Sequence, residues 1–292
     1  MKTHRRNFIK TGAGVLALAA FSPNLFSAAP VAGRKLKKAI MYGTLGFPGS
    51  VLEKFQAVQA AGFAGVEPMS HMNQDEVVHA FEATGLKAAS VCCSTHWKQP
   101  LSHPDPAVRA AGLEGLRQAL RDAKRYGATS VLLVPGIVKD GDTYEDCRDR
   151  SIAEIRKVLP LAEELGVKLA IENVWNNFAT TPEQAVAYLD AINSPFVGWH
   201  FDIGNAIKYS PPETWIPVLG KRILKVHVKE FSLTKKFAVK YFEGDNHWPA
   251  IMQALDAAGY QGWAITEQPS SQTKDADGLK DFSARLDKII AS

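Results

Sequence analysis

Four short apolar runs in this chain each end on a residue that can bind a hard cation. Residues 167–171 lead into Glu172, 197–201 into Asp202, 223–226 into His227 and 262–266 into Glu267. Taken singly, each has an ordinary reading. A glutamate after a strand is usually a solvated loop residue or half of an ion pair, and a buried histidine is usually a hydrogen-bonded core residue. Together, three carboxylates and one imidazole at the ends of separate strands point to an oxygen-rich site for a divalent ion. Carboxylates suit Mn²⁺ or Mg²⁺, and the imidazole shifts the preference toward Mn²⁺, Co²⁺ or Zn²⁺, so Mn²⁺ is the ion expected.

The elements that must position these residues alternate regularly. Strands are expected at 38–42, 63–67, 86–93, 130–134, 167–171, 197–201, 223–226 and 262–266. Helices are expected between them, with Gly62, Gly85, Gly127, Gly166 and Gly259 as stop signals and Pro182 at a first helical position. Alternating strands and helices imply a parallel sheet with right-handed crossovers. Eight units in about 250 residues predict a closed (β/α)8 TIM barrel, whose site lies at the C-terminal strand ends. The competing arrangement is an open doubly wound sheet. Tyr42-Gly43-Thr44-Leu45-Gly46 after the first strand lacks the glycine spacing of a dinucleotide loop.

Several segments in this order resemble the xylose-isomerase-like barrel superfamily of sugar-phosphate isomerases and epimerases. They are Ala61-Gly62-Phe63-Ala64-Gly65-Val66-Glu67, Ala170-Ile171-Glu172-Asn173, Phe201-Asp202-Ile203-Gly204-Asn205, Val226-His227-Val228-Lys229-Glu230, and Glu243-Gly244-Asp245 with Trp248-Pro249-Ala250-Ile251 behind it. The resemblance spans about residues 36–290. It implies that Glu172, Asp202, His227 and Glu267 hold one divalent metal and that Glu172 and Glu267 also shuttle a proton. The sequence departs from the sugar-epimerase pattern in two places. Asn205 stands where those relatives usually carry a histidine three residues after the aspartate, and Lys229 and Glu230 lie near where they carry an arginine. Contacts to a free sugar therefore do not carry over. The departures also weigh against the three-metal AP-endonuclease relatives.

Candidate substrate contacts are Glu67, His96, Trp97, Lys229 and Asn205. His96-Trp97 offers a hydrogen bond and a stacking ring, or a packed loop pair. Lys229 shares the face of His227 and can neutralise an oxyanion. Trp175, Asn176 and Asn177 suggest a polar, aromatic rim, and His200 shares the strand face of Asp202.

Composition excludes little but bounds the partners. The chain has 292 residues and a formal charge of +4, from 34 basic and 30 acidic residues. Residues 1–29 contain Lys2, Arg5, Arg6 and Lys10 and no acid, so the remainder balances at 30 against 30. Bulk charge gives no argument for nucleic-acid binding. Arg5-Arg6, the apolar run 12–21 and Ser27-Ala28-Ala29 resemble a twin-arginine export signal, with residues 30–292 as a single catalytic barrel. The run is short of the roughly 20 apolar residues of a membrane span. Cys92, Cys93 and Cys147 form no disulfide framework and are expected to be packing residues.

The expectation is a periplasmic, metal-dependent isomerase or epimerase that removes a proton next to a carbonyl of a carbohydrate or small hydroxycarbonyl compound. A lyase on 3-keto-glycosides and a noncatalytic carbohydrate-binding barrel are the alternatives, and homo-oligomerisation is left open.

Overall fold

The computed structural model describes residues 34–139 and 141–292; the expected export signal lies outside them. Among the described residues, nine parallel strands form a nearly closed barrel wrapped by helices. The strands are β1 (Lys37–Met41), β2 (Gly65–Glu67), β3 (Lys87–Ala88), β4 (Val91–Cys92), β5 (Ser130–Leu133), β6 (Lys168–Glu172), β7 (Val197–Asp202), β8 (Ile223–Val228) and β9 (Trp263–Thr266). β1 pairs with both β2 and β9, so first and last strands meet as a barrel requires.

The ninth strand arises because the third expected strand is split. β3 pairs with β2, and β4 pairs with β5. The ladder between strands two and three breaks at Pro68, which has no N–H to donate. Before it, the Ala89 N–H donates to Val66 O; after it, the Cys92 N–H donates to Pro68 O, an offset larger by one residue. That is a β-bulge, and it lets one chain segment serve both neighbours at the rim beside the site.

The helices are α1 (Val51–Ala60), α2 (Gln74–Thr84), α3 (Pro106–Tyr126), α4 (Tyr144–Leu165), α5 (Pro182–Ile192), α6 (Ile203–Ala206), α7 (Pro212–Leu219), α8 (Trp248–Ala257) and α9 (Ala276–Ala291). Their starts are capped as their sequences dictate. Ser50 and Glu53 form a capping box on α1, Thr143 and Asp146 another on α4. α6 is an unexpected single turn, and Asp202 caps it by accepting from the Asn205 N–H at 2.6 Å.

The main core lies between the barrel wall and the helices, where Phe55, Leu116, Ile155, Tyr188, Trp215, Ile251 and Leu286 are buried. The barrel interior differs. Ala39, Ala89 and Ile265 form a small apolar cluster of their own. Glu67, His200, Lys225 and His227 are also buried, so the barrel contains a charged column that apolar packing alone does not explain.

Candidate metal and substrate site

β6, β7 and β8 are adjacent and in register, with Glu172 opposite His200 and Asp202 opposite His227. Glu267 follows the end of β9. This arrangement gathers the four expected ligands. Donor atoms of Glu172, Asp202, His227 and Glu267 all lie within 4.8 Å of one another. Nδ1 of His227 is 2.9 Å from Glu172 Oε1, 3.5 Å from Glu267 Oε2 and 3.9 Å from Asp202 Oδ2. Three carboxylates converging on one imidazole nitrogen in a buried space fit a divalent cation in both charge and donor type.

The other face of that imidazole carries the least expected contact. Glu67 Oε2 lies 2.9 Å from His227 Nε2. Glu67 is fully buried and is absent from the residues lining the cavity. It therefore supports His227 from below, where a substrate contact was expected. A carboxylate on the far nitrogen fixes the ring orientation and leaves Nδ1 for a metal. His200 packs edge-on against His227 with ring centroids 4.1 Å apart. Neither His200 nitrogen has a protein partner, nor does Glu67 Oε1, which lies 4.0 Å from His200 Nδ1. Donor atoms of Glu67, His200 and His227 also lie within 4.8 Å of one another, a second and fully buried cluster beneath the first.

The electrostatics follow from burial set against these charges. Burial pushes the Asp202 carboxyl up to about 8, against the pull of Lys229. Burial also raises Glu172, opposed by its hydrogen bond with His227. Burial works to raise Glu267 too, but the charges of Lys229 and His227 overcome it and hold that carboxyl well below its usual range. Burial works to lower His227, and the surrounding Glu67 and Glu267 charges instead hold it well above.

Above these residues lies a cavity of about 220 Å³ lined by Glu172, Glu267, Lys229, Asn205, His96, Trp97, Trp175 and Phe237, among others. The expected contacts His96, Trp97, Lys229 and Asn205 all line it. The Lys229 ammonium bridges Glu267 at 2.7 Å and Asp202 at 3.5 Å and lies 4.6 Å from the Phe237 ring centre. The Val134 N–H donates to His96 Nδ1 at 3.2 Å. Burial lowers the His96 pKa to about 4. The ring is thus neutral near pH 7 with its proton on Nε2, as a hydrogen-bond donor. Cys92 also lines the cavity, and burial raises its thiol well above the usual range, so it is no thiolate.

Two supporting residues escaped the sequence reading. Asn173 ties β6 to β7. Its Nδ2 donates to Asp202 O at 2.8 Å, and its Oδ1 accepts from the Asp202 N–H at 2.9 Å and from Trp199 Nε1 at 3.1 Å. Glu230 is buried and accepts from Trp248 Nε1 and the Phe242 N–H, each at 2.8 Å, which pins the segment after β8. Asn205 is held in turn, its Nδ2 donating to Asn173 O at 3.1 Å. Gly204 completes this packing, since a Cβ there would lie 2.7 Å from Lys229 O and 2.8 Å from Lys229 Cβ.

Residues 55–289 match the family model described as the xylose isomerase-like TIM barrel. The L-ribulose-5-phosphate 3-epimerase UlaE of Escherichia coli K12 is 27% identical over 238 residues, covering 77% of this chain and 84% of that protein. Among solved structures, the 3-keto-D-glucoside 4-epimerase YcjR of E. coli superposes with a TM-score of 0.76 at 18% identity, covering 87% of this chain and 99% of that one. The D-allulose 3-epimerase of Methylomonas sp. superposes with a TM-score of 0.74 at 19% identity, covering 88% and 97%. These last two likenesses concern the fold.

Proposed function

The chain belongs to the xylose isomerase-like TIM barrel family, and we propose that it is a divalent-metal-dependent sugar isomerase or epimerase. The observation that carries this reading is the placement of Glu172 and Glu267. Both line the cavity, both belong to the four-donor cluster, and β7 and β8 separate the strands that carry them. Two carboxylates that approach one small cavity from different strands can act on two sides of a planar intermediate. The curated relative named as a sugar epimerase supports the same reaction class.

A divalent ion held by Glu172, Asp202, His227 and Glu267 would supply Lewis-acid polarisation of the substrate carbonyl and hydroxyl oxygens, with Mn²⁺ the ion we favour. The remaining roles belong to the chain. One of Glu172 and Glu267 removes the proton from the carbon next to the carbonyl, giving an enediolate, and the other returns a proton to the opposite face. Return to the same carbon is epimerisation; return to the neighbouring carbon is aldose–ketose isomerisation. Lys229 and the Nε2–H of His96 point the available positive charge and hydrogen-bond donation toward substrate oxygens. Val174, Trp175 and Phe237 limit water. The resemblance of residues 1–29 to a twin-arginine export signal extends the proposal to a periplasmic enzyme.

Glu172→Gln and Glu267→Gln test it. Each should lower turnover by at least about 100-fold, the scale of general acid–base catalysis. Retained turnover in both would remove the proton shuttle from these two carboxylates. A keto-glycoside lyase, in which the same proton abstraction expels the glycosidic oxygen by β-elimination, is the second reading. Loss of a glycosidic fragment during turnover would establish it.

A further inference from the structure

Among the described residues, two of the three exposed large aromatic side chains stand at the mouth of the cavity; the third, Phe242, lines a separate hollow with Asp281 and Arg285. Trp97 is 50% exposed and Trp175 36% exposed, and both also line the cavity. By contrast Trp199, Trp215 and Trp248 are fully buried. A ring that lines a cavity while showing so much surface to solvent stands at its rim. Phe237, also in the lining, packs against Trp175 with centroids 4.9 Å apart and planes inclined by 33°.

This rim is built and held. Trp175 Nε1 donates to Asn205 O at 3.0 Å, and Phe231 meets the Trp175 ring edge-on at 5.1 Å. The segment bearing Phe231 and Phe237 is closed by the reciprocal bridge between Ser232 and Lys236. His96 meets Trp97 edge-on at 5.4 Å. Pre-positioned aromatic rings bind a flat apolar ligand face at little entropic cost.

The size and charge of the inner cavity limit what reaches this rim. About 220 Å³ is below the ~300–1,000 Å³ of a drug-sized pocket, so it suits a single small ring. Its only lysine or arginine is Lys229, already bridging two carboxylates. A phosphate dianion inside would face Glu172 and Glu267 instead. A ligand longer than one ring must leave through the mouth and lie against Trp97 and the Trp175–Phe237 pair, displacing the exposed Lys208, whose ammonium lies 4.9 Å from the Trp175 ring centre.

We propose that Trp97, Trp175 and Phe237 form an outer subsite for a second sugar ring, so that the substrate is a non-phosphorylated disaccharide or larger glycoside. This rests on the isomerase/epimerase reading of the inner cavity. It also carries a chemical consequence. Where the ring in the inner cavity carries the glycosidic bond at its own anomeric carbon, it has no free anomeric carbonyl, so the carbonyl needed for proton abstraction sits on another ring carbon and an oxidation of a ring hydroxyl must supply that substrate; a disaccharide bound by its reducing end brings its own anomeric carbonyl.

The test uses the Mn²⁺-loaded full chain and two matched probes, methyl 3-keto-β-glucoside and 3-keto-cellobiose, with D-ribulose 5-phosphate as the phosphorylated comparison. Dissociation constants come from tryptophan fluorescence and calorimetry. The two-ring probe is expected to bind about tenfold more tightly than the methyl glycoside, the range of one or two aromatic contacts. In Trp97→Ala, and separately in Phe237→Ala, that preference should fall to within about twofold. No two-ring preference in the wild type, a preference that survives both variants, or tighter binding of the phosphate ester would each overturn the subsite. Deuterium uptake from D₂O into the same probes separates the two ideas. Uptake without a two-ring preference leaves the inner-site chemistry standing and removes the rim subsite. A preference without uptake does the reverse.

Discussion

Replacing Asn173 with alanine should cost more than its position just after a strand suggests. The side chain makes three buried hydrogen bonds, to Asp202 O, to the Asp202 N–H and to the indole N–H of Trp199. Trp199 and Asp202 are fully inaccessible, so truncation leaves three buried polar groups without partners. Each such group costs about 1–3 kcal/mol, and partial refilling by water brings the sum to roughly 3–5 kcal/mol. With a urea dependence near ~3 kcal/mol per molar, the unfolding midpoint should drop by about 1–2 M. The second consequence is functional. Asp202 loses the anchors on both its N–H and its carbonyl, so its carboxylate is no longer fixed relative to His227. Divalent-metal affinity, read by Mn²⁺ titration with electron paramagnetic resonance, should fall about 10–100-fold. An Asn173→Ala protein within about 1 kcal/mol of wild type, with unaltered metal affinity, would refute the claim that this residue holds the β6–β7 edge of the site.

Other perturbations probe separate parts of the account. Glu67→Gln removes the negative charge behind His227 without removing a hydrogen-bond acceptor, and metal affinity should weaken by about tenfold or more; wild-type affinity would show that Glu67 does not support the ligand. Burial holds His96 at about 4, below its ordinary 6.5. The unfolded chain therefore binds the extra proton first, so this stability is complete above pH 6.5 and is lost as pH falls toward 4. The full loss is about 3 kcal/mol. His96→Asn keeps an acceptor for the Val134 N–H and should flatten that part of the acid limb in urea titrations at pH 7, 5 and 4. An unchanged acid limb would contradict the buried neutral tautomer.

The barrel and the cluster of four donor residues were legible for a common reason. Glu172, Asp202, His227 and Glu267 each end an apolar run, and the period of two along a strand fixes which face they share. Depth along the barrel axis is not written in that period. Glu67 also ends a strand, but it lies beneath His227 and contacts Nε2 instead of the cavity. Asn173 and Glu230 stayed hidden because a polar residue beside a ligand reads as the start of a loop, and only the fold shows which donors and carbonyls it meets. The split of the third strand depended on Pro68 in the neighbouring strand, a non-local effect that reading strand three by itself does not register. Turn α6 was hidden because Asp202 serves as both strand end and helix cap.

The most direct test of the central claim is solvent hydrogen exchange. The Mn²⁺-loaded protein would be incubated in D₂O with keto sugars, and deuterium incorporation followed by mass spectrometry alongside Glu172→Gln and Glu267→Gln. The account predicts incorporation at a carbon next to the carbonyl, without fragmentation, dependent on the metal and lost in both variants. Turnover of a sugar to its isomer with no deuterium incorporated would mean that hydrogen moves without exchanging with solvent, and would contradict proton transfer through these two carboxylates.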